Sequence, residues 1–389
     1  MLTQTWAMLV DAYRELCARK LFWITMGISA LVVLIFAAIG IDEKGMSILW
    51  FRVPFGGAAE DLLSKKMFYV ALFQGWGVTL WLGIIASILA LVTTAGFFPS
   101  MVEAGSIEVH LSKPISRLRL FLTRYFAGLL FVAIQVGVFT TASFFVLGLR
   151  GGVWLPSVFL AIPIVVVFFS YLFSFCVLVG VWMRSTMPAL LLTLLFWFSL
   201  YILNTGDFIL VGFREGNREI VEARAARIER MERNARKSIV ELKASEGVEN
   251  YEPTDEEIVA TMPLLARERA VQKDDMESVR ALEQWTRWIY RAKSLMPKTS
   301  ETVALLDRWL IPADERVEAQ IRAKAEFQAK ASSRNGRENT EDDLPEGMNP
   351  FAIKQEMESR SVLWVLGTSL LHEAVVLALA SFIFVRRDY

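Results

Sequence analysis

The sequence predicts an all-α integral membrane protein, with six transmembrane helices and a large extracytoplasmic helical insertion between helices five and six. Three observations predict it. Of 389 residues, 54% are hydrophobic, yet 21% are charged, so the two kinds must be segregated along the chain. Six apolar runs are long enough to cross a hydrocarbon core, where only an internally hydrogen-bonded backbone is stable. Between the fifth and sixth lies a polar stretch, 212–360, holding 26 of the 41 basic and 30 of the 41 acidic residues.

The first run, Leu21 to Ile41, follows Arg19 and Lys20 and precedes Asp42, Glu43 and Lys44. Those acidic flanks and the lack of a small-residue cleavage site make it a retained span rather than a removable leader. The second, Ala71 to Phe98, carries no charge and is expected to stop at Pro99. The third is Tyr125 to Leu149. The fourth, Leu155 to Met183, contains Pro163, which predicts a kink or a late helix start. The fifth lies between Arg184 and Asp207, with Asp207 expected to be solvated near the outer surface. The sixth, Ser361 to Val385, is interrupted by His372 and Glu373.

Six spans put both termini on one side, and the basic residues in short flanking segments choose it. One side collects Arg14, Arg19, Lys20, Lys113, Arg117, Arg119, Arg124, Arg184, Arg386 and Arg387, against Lys44, Arg52, Lys65, Lys66 and Arg150 on the other. Both termini are therefore expected in the cytoplasm, with the chain in the plasma membrane as a multi-pass protein. The predicted domains are a cytoplasmic interfacial helix at 1–20, spans one to five over 21–211 with a cytoplasmic loop at 99–124, the outer helical or coiled-coil-like region 212–360 with a disordered tether at 332–350, and the sixth span with its cytoplasmic tail at 361–389. In the first of these, Trp6, Leu9, Val10, Tyr13, Leu16 and Cys17 recur at helical spacing opposite Asp11, Arg14, Glu15 and Arg19. That pattern suits a helix lying on membrane lipid.

The outer region reads as helices. Asn217 to Lys243 carries a thin apolar stripe, and Thr254 with Glu257 forms a capping-box pattern before a helical stretch reaching about Ser294. Trp285, Trp288, Ile289 and Leu295 would share one face. Further helices are expected over Glu301 to Leu310 and Asp314 to Ala331. Two readings stay open, a small self-packing bundle and a surface on which Trp285, Trp288, Tyr290 and Trp309 dock an envelope protein.

No catalytic constellation is present, so the chain is not expected to be an enzyme or to carry a cofactor. Gly40 to Gly45 continues into Met46 rather than the Lys-Ser or Lys-Thr of a phosphate loop. Two histidines, His110 and His372, and two cysteines, Cys17 and Cys176, offer neither a metal site nor a disulfide framework. The net charge of zero averages unlike regions, and no nucleic-acid partner is expected. An ionised carboxylate at the depth of Glu373 would cost roughly 2.5 to 3.5 kcal/mol if it faced lipid, so Glu373 must face protein or water. Glu373, His372, Gln135 and Asn204 are the candidate transport-path residues, and a structural role, with Glu373 protonated or hydrogen-bonded to a neighbouring helix, is the alternative.

The most specific segment is Glu103 to Arg124. It opens with Glu103, Gly105, Ile107 and Glu108, proceeds through Leu111, Ser112, Lys113 and Pro114, and closes with Ser116 and Arg117 before the third span. Charge alone would make it a topogenic loop touching anionic lipid, but the order of residues resembles the first cytoplasmic loop of ABC-2 type transporter permeases. The resemblance implies a permease subunit that dimerises with itself or a sister permease and recruits a separate cytoplasmic ATPase, which binds the ATP. It also implies that a coupling helix involves Glu103, Gly105, Glu108, Leu111, Lys113, Pro114, Ser116 and Arg117. His110 and Thr123-Arg124 depart from the family pattern, and so does the length of the outer insertion. The expected function is export of an envelope-directed or hydrophobic substrate. The alternative is a membrane-embedded interaction or mechanotransmission protein that engages envelope partners without moving a substrate.

Overall fold

The computed structural model describes residues 20–42, 45–48, 51–53, 65–102, 116–248, 251–310 and 350–386, with Val10, Arg14, Ala18, Val317, Glu318, Ile321 and Ala325 besides. The expected interfacial helix at 1–20 and the tether at 332–350 fall almost wholly outside these residues. Six helices are long and apolar enough to cross a membrane: Lys20–Ala38, Lys66–Met101, Arg117–Gly151, Pro156–Met183, Thr186–Ser245 and Val362–Arg386. Each contains one of the six predicted runs, or all but its ends.

Helix α1 (Lys20–Ala38) leads into three short strands, β1 (Ile39–Asp42), β2 (Gly45–Ile48) and β3 (Phe51–Val53), paired as an antiparallel meander with Asp42 opposite Gly45. This short ribbon was not expected, and the rest of the regular structure among the described residues is helical, as predicted. Ile39, Ile41 and Ile48 favour extended backbone, and strands of three or four residues are too short to announce themselves by alternation.

The second apolar run is not uniform helix. Helix α2 (Lys65–Leu72) passes into a π-helical segment, Phe73–Ala86, and then into α3 (Ser87–Thr94). Ser87 Oγ donates to the Leu82 carbonyl, five residues back, at 2.7 Å. The run was expected to end at Pro99. Instead a turn at Ala95 and Gly96 precedes α4 (Phe97–Val102), which holds Pro99 in its first turn, where no backbone donor is needed.

Helix α5 (Arg117–Gly151) starts at Ser116, whose hydroxyl accepts the Arg119 N–H at 3.4 Å, and closes on Gly152 at φ +67°, a left-handed cap that glycine adopts without steric cost. Helix α6 (Ala161–Met183) follows a 3₁₀ turn at Pro156–Leu160, so Pro163 sits near a late helix start as predicted. Helix α7 (Thr186–Ser245) is continuous over 60 residues.

By packing, the chain divides into two units, one formed by Met1–Ile202, Ser294–Ala319 and Ser361–Tyr389, the other by Leu203–Lys293 and Gln320–Arg360. The insertion expected at 212–360 is therefore not one body. In the first unit α6 is the central helix, flanked by α5 and by α12 (Val362–Arg386), around a core that includes Phe121, Phe131, Phe139, Phe169 and Phe173. Helix α10 (Thr299–Leu310) joins that core through Val303, Leu306 and Leu310. Lys298, at its start, is 1% exposed. Its ammonium donates to Thr368 Oγ1 and lies 4.4 Å from the centre of the Trp364 ring, and its backbone N–H donates to Ser369 Oγ. A buried cation satisfied by the Thr368 hydroxyl, the Met296 carbonyl and an aromatic face accounts for the membership of this segment.

The second unit builds its own small core from Ile228, Ala235, Ile239, Ile258 and Leu265. Helix α8 (Asp255–Thr261) carries the predicted capping box, with Glu257 accepting the Thr254 N–H at 3.1 Å. Pro263 opens α9 (Pro263–Leu295) instead of interrupting a single helix. Arg224 bridges Glu268 and Asp275, and Arg269 bridges Glu232, tying α7 to α9, while Arg214 of α7 pairs with Glu356 of α11 (Pro350–Ser359) at 3.0 Å. On α9 the predicted shared face is present, but Trp285, Trp288 and Leu295 are 64%, 65% and 76% exposed. They belong to no core.

Candidate functional site

Glu373 is 8% exposed and sits twelve residues into α12. Its Oε1 accepts the Tyr125 hydroxyl from α5 at 2.8 Å, and its Oε2 lies 2.7 Å from Ser170 Oγ of α6. Three apolar helices thus converge on one carboxyl group. Among the described residues it has no cationic partner.

The helices can approach this closely because of Gly128. A Cβ there would lie 2.7 Å from the Phe173 ring, so glycine lets Phe173 rest on the α5 backbone. The Tyr125 ring stacks on Phe173 with centroids 5.2 Å apart and planes at 11°, and Phe169 extends the stack at 5.5 Å. This stack aims the phenol at Glu373. Ring stacking and area burial position a polar tip, a use to which tyrosine is suited.

A count of protons constrains the chemistry. Ser170 Oγ lies 2.8 Å from the Val167 carbonyl as well as 2.7 Å from Glu373, but a hydroxyl has one proton to give. A neutral Glu373 resolves the conflict: its Oε2–H donates to Ser170 Oγ, Ser170 donates to Val167, and Tyr125 donates to Oε1. The ionised form accepts from both hydroxyls and leaves the Val167 carbonyl only its helical partner. The site can therefore hold or release a single proton without moving a heavy atom.

The other candidates are dispersed. His372 Nδ1 lies 2.9 Å from the Leu295 carbonyl, and its ring is parallel to Phe196 at 6.3 Å. Gln135 is 2% exposed on α5, and neither its Oε1 nor its Nε2 has a hydrogen-bond partner among the described residues. Asn204 is half-buried and belongs to the second unit. Tyr125 and Ser170, the actual partners of Glu373, were not singled out from the sequence. Their signal was general: a hydroxyl inside an apolar helix must find an acceptor.

Glu103, Gly105, Glu108, Leu111, Lys113 and Pro114 lie outside the described residues. Ser116 caps α5, and the adjacent Arg117 donates from its guanidinium to the Val385 carbonyl in the last turn of α12 at 3.2 Å. The start of the third apolar helix and the end of the sixth are thereby linked.

Asp207 departs from expectation. Rather than being solvated, it is fully buried in the second unit, and its Oδ2 is shared by Lys293 Nζ at 2.8 Å and Arg360 at 2.7 Å. The cations are buried too, at 3% and 7% side-chain exposure. One carboxylate of α7 ties together Lys293 near the end of α9 and Arg360. No protein-family model, curated protein or solved structure matches this chain.

Proposed function

We propose that this chain is the membrane subunit of an ATP-driven transporter of the ABC-2 permease class. It works as a dimer, with itself or a sister permease, and exports an envelope-directed or hydrophobic substrate. A separate cytoplasmic ATPase binds and hydrolyses the ATP, so the chain itself is not an enzyme and carries no cofactor. It resides in the plasma membrane with both termini in the cytoplasm. The observation that carries the reading is the ordered segment Glu103 to Arg117 between two apolar helices.

The contact from Arg117 to Val385 supports a mechanical role for that segment. A push on the loop reaches α5 directly through Ser116 and reaches α12 through this hydrogen bond. Glu373, Tyr125 and Ser170 join the same two helices to α6 farther along, so the three move together. Purification from native membranes, followed by identification of what accompanies the protein, tests the proposal. An ATPase subunit should copurify with wild type and be released by Glu108→Arg and by Arg117→Glu. Absence of any ATPase from the wild-type preparation refutes the proposal.

A second reading is favoured by the exposed Trp285 and Trp288. Aromatic side chains left on a helix surface suit a docking face, and the outer helices would then bind an envelope protein while the membrane helices transmit motion without moving a substrate. Recovery of envelope proteins lost on Trp285→Ser with Trp288→Ser supports that version.

A further inference from the structure

In the first unit the ends of three apolar helices meet at a pocket of about 490 Å³. Its wall is made by the last turn of α1 around Ala37, by Tyr69 of α2, and by Phe145, Leu149 and Arg150 of α5. In a six-span chain the first and third helices finish, and the second begins, on the face opposite the termini. The apolar runs of α1 and α5 stop close by, at Ile41 and Leu149. The pocket therefore lies at one membrane surface. Trp154, 53% exposed, packs at the same level on Gly148, where a Cβ would come within 2.5 Å of its ring. Tryptophan is enriched at that boundary because its ring is apolar and its N–H is wet.

The pocket has an apolar side and a charged end. Leu149 and Phe145, one turn apart on α5, are 79% and 51% exposed. The Tyr69 ring is buried behind them, held by Phe36 at 6.4 Å and by Gly151, which has no Cβ to meet it. Arg150 is the one charged residue lining the pocket, and no carboxylate lines it. Its side chain is exposed and makes no hydrogen bond, ion pair or ring contact among the described residues. A cation in the last turn suits the helix dipole, but that leaves the five guanidinium donors open. Their planar fork matches the oxygens of a phosphate, which it binds bidentately. With no acid beside it, the site favours an anionic head over a zwitterionic one, whose ammonium would find no partner.

We propose that this pocket binds an anionic phospholipid of the leaflet opposite the termini, with its phosphate on the Arg150 guanidinium and the start of its acyl chains along Leu149 and Phe145. The volume falls in the range of small-molecule pockets, about 300–1,000 Å³. That is room for a headgroup and the first methylenes, while the chains continue into the bilayer. A lipid rather than a free phosphate is the occupant, because exposed apolar side chains continue the wall directly below the cation. The inference rests on the membrane reading alone and holds whether or not an ATPase drives the protein.

The test uses the full chain in phosphatidylcholine nanodiscs without any ATPase, doped with phosphatidylglycerol carrying a diazirine near the top of one acyl chain, or with phosphatidylcholine labelled in the same place. Labelling of the peptide holding Phe145 and Leu149 should be at least about fivefold greater from phosphatidylglycerol, the effect of one cation at the interface. Unlabelled phosphatidylglycerol should compete for the site, whereas millimolar inorganic phosphate should not. Arg150→Gln should bring labelling by phosphatidylglycerol down to that by phosphatidylcholine, which persists. Arg150→Lys should keep most of the preference, and this separates loss of charge from disturbance of α5. Equal labelling by the two lipids in wild type, an unchanged preference in Arg150→Gln, its complete loss in Arg150→Lys, or displacement by phosphate would each overturn the proposal. None of these readouts involves transport or an ATPase, so failure of the transporter reading and failure of this site are separately visible.

Discussion

Replacing Asp207 with alanine is expected to open the second unit at its base. The carboxylate faces two cations through one oxygen, at 2.7 and 2.8 Å, with every partner buried. At an effective dielectric near 20, each contact carries a gross attraction of about 6 kcal/mol. Desolvation of three ions costs several kcal/mol apiece, so the intact clamp is worth little net. Removing the anion alone is another matter. Two buried cations then lose the anion they share, a loss of about 3–5 kcal/mol. Hydrogen exchange of the amides around 203–210, 286–293 and 353–359 measures it, because local opening free energies set exchange rates. Asp207→Ala should accelerate exchange there by roughly 100-fold to 3,000-fold. A triple variant, Asp207→Leu with Lys293→Met and Arg360→Met, should recover most of the protection, since an apolar replacement of a buried ionic group is often neutral. If Asp207→Ala changes exchange less than about fivefold, or the triple variant is no better than the single one, the clamp does not carry the energy assigned to it.

At Glu373, glutamine can accept from Tyr125 and donate to Ser170, so Glu373→Gln should leave thermal stability within about 0.5 kcal/mol of wild type, whereas Glu373→Ala removes both inter-helix hydrogen bonds and leaves a cavity, and should cost about 2–4 kcal/mol; equal losses would show that the proton count is wrong. Gly128→Leu drives a side chain into Phe173, and an overpacking cost of about 1–3 kcal/mol should appear as a lowered melting temperature, while Gly27→Leu, at a site with open space around its Cβ, should be near neutral. The carboxyl of Glu257 is held below its ordinary 4.5 by the Tyr251 hydroxyl and then by the Thr254 N–H. Its folded-state value being depressed, the stability it contributes is fully present above 4.5 and is lost as pH falls through the lower folded value. Acidification from pH 5 should therefore fray α8, seen as faster amide exchange over 255–261, and Glu257→Gln should blunt that response.

What could be read from the sequence follows from how strongly the surroundings constrain each residue. Lipid forbids unpaired backbone and charge, so the six apolar helices stand out as runs bounded by Arg19, Asp42, Arg184 and their like. The capping box at Thr254 and Glu257 was legible because both partners are local. The periodicity of Trp285, Trp288 and Leu295 identified a shared helix face, but a face has no sign in sequence, and this one points outward. Helix α10 has an amphipathic pattern that serves equally against a soluble bundle or a membrane core, and nothing in the local sequence of Lys298 points to the Trp364 ring and Thr368 hydroxyl around it. Asp207 misled for the same reason, since its two cations lie 86 and 153 positions away in the chain. At the candidate site, Glu373 was visible by its cost in lipid, whereas Tyr125 and Ser170 were not, because pairing across 248 and 203 residues leaves no trace in local composition.

These contacts make α12 the helix through which the two ends of the first unit can influence each other. In its last turn the Val385 carbonyl accepts from Arg117 at the start of α5. At mid-length Glu373 holds α5 and α6. Near its start Thr368 and Ser369 hold Lys298, from which α10 departs. Thr368 and Val385 are about 25 Å apart on one helix, a rigid element at this length. Spatial continuity of this kind does not establish coupling by itself; a two-state element biased from both ends does. The Glu373 triad is the point at which α5, α6 and α12 meet through side chains. It joins three helices through hydroxyl protons that have two acceptors each, Glu373 or Val167 for Ser170 and Glu373 or the Ser170 carbonyl for Tyr125. Only when both hydroxyls turn to those carbonyls and Glu373 withdraws is α12 freed from α5 and α6 without breaking any helix, and a displacement at Arg117 would then reach Lys298 as a shift of one helix against two.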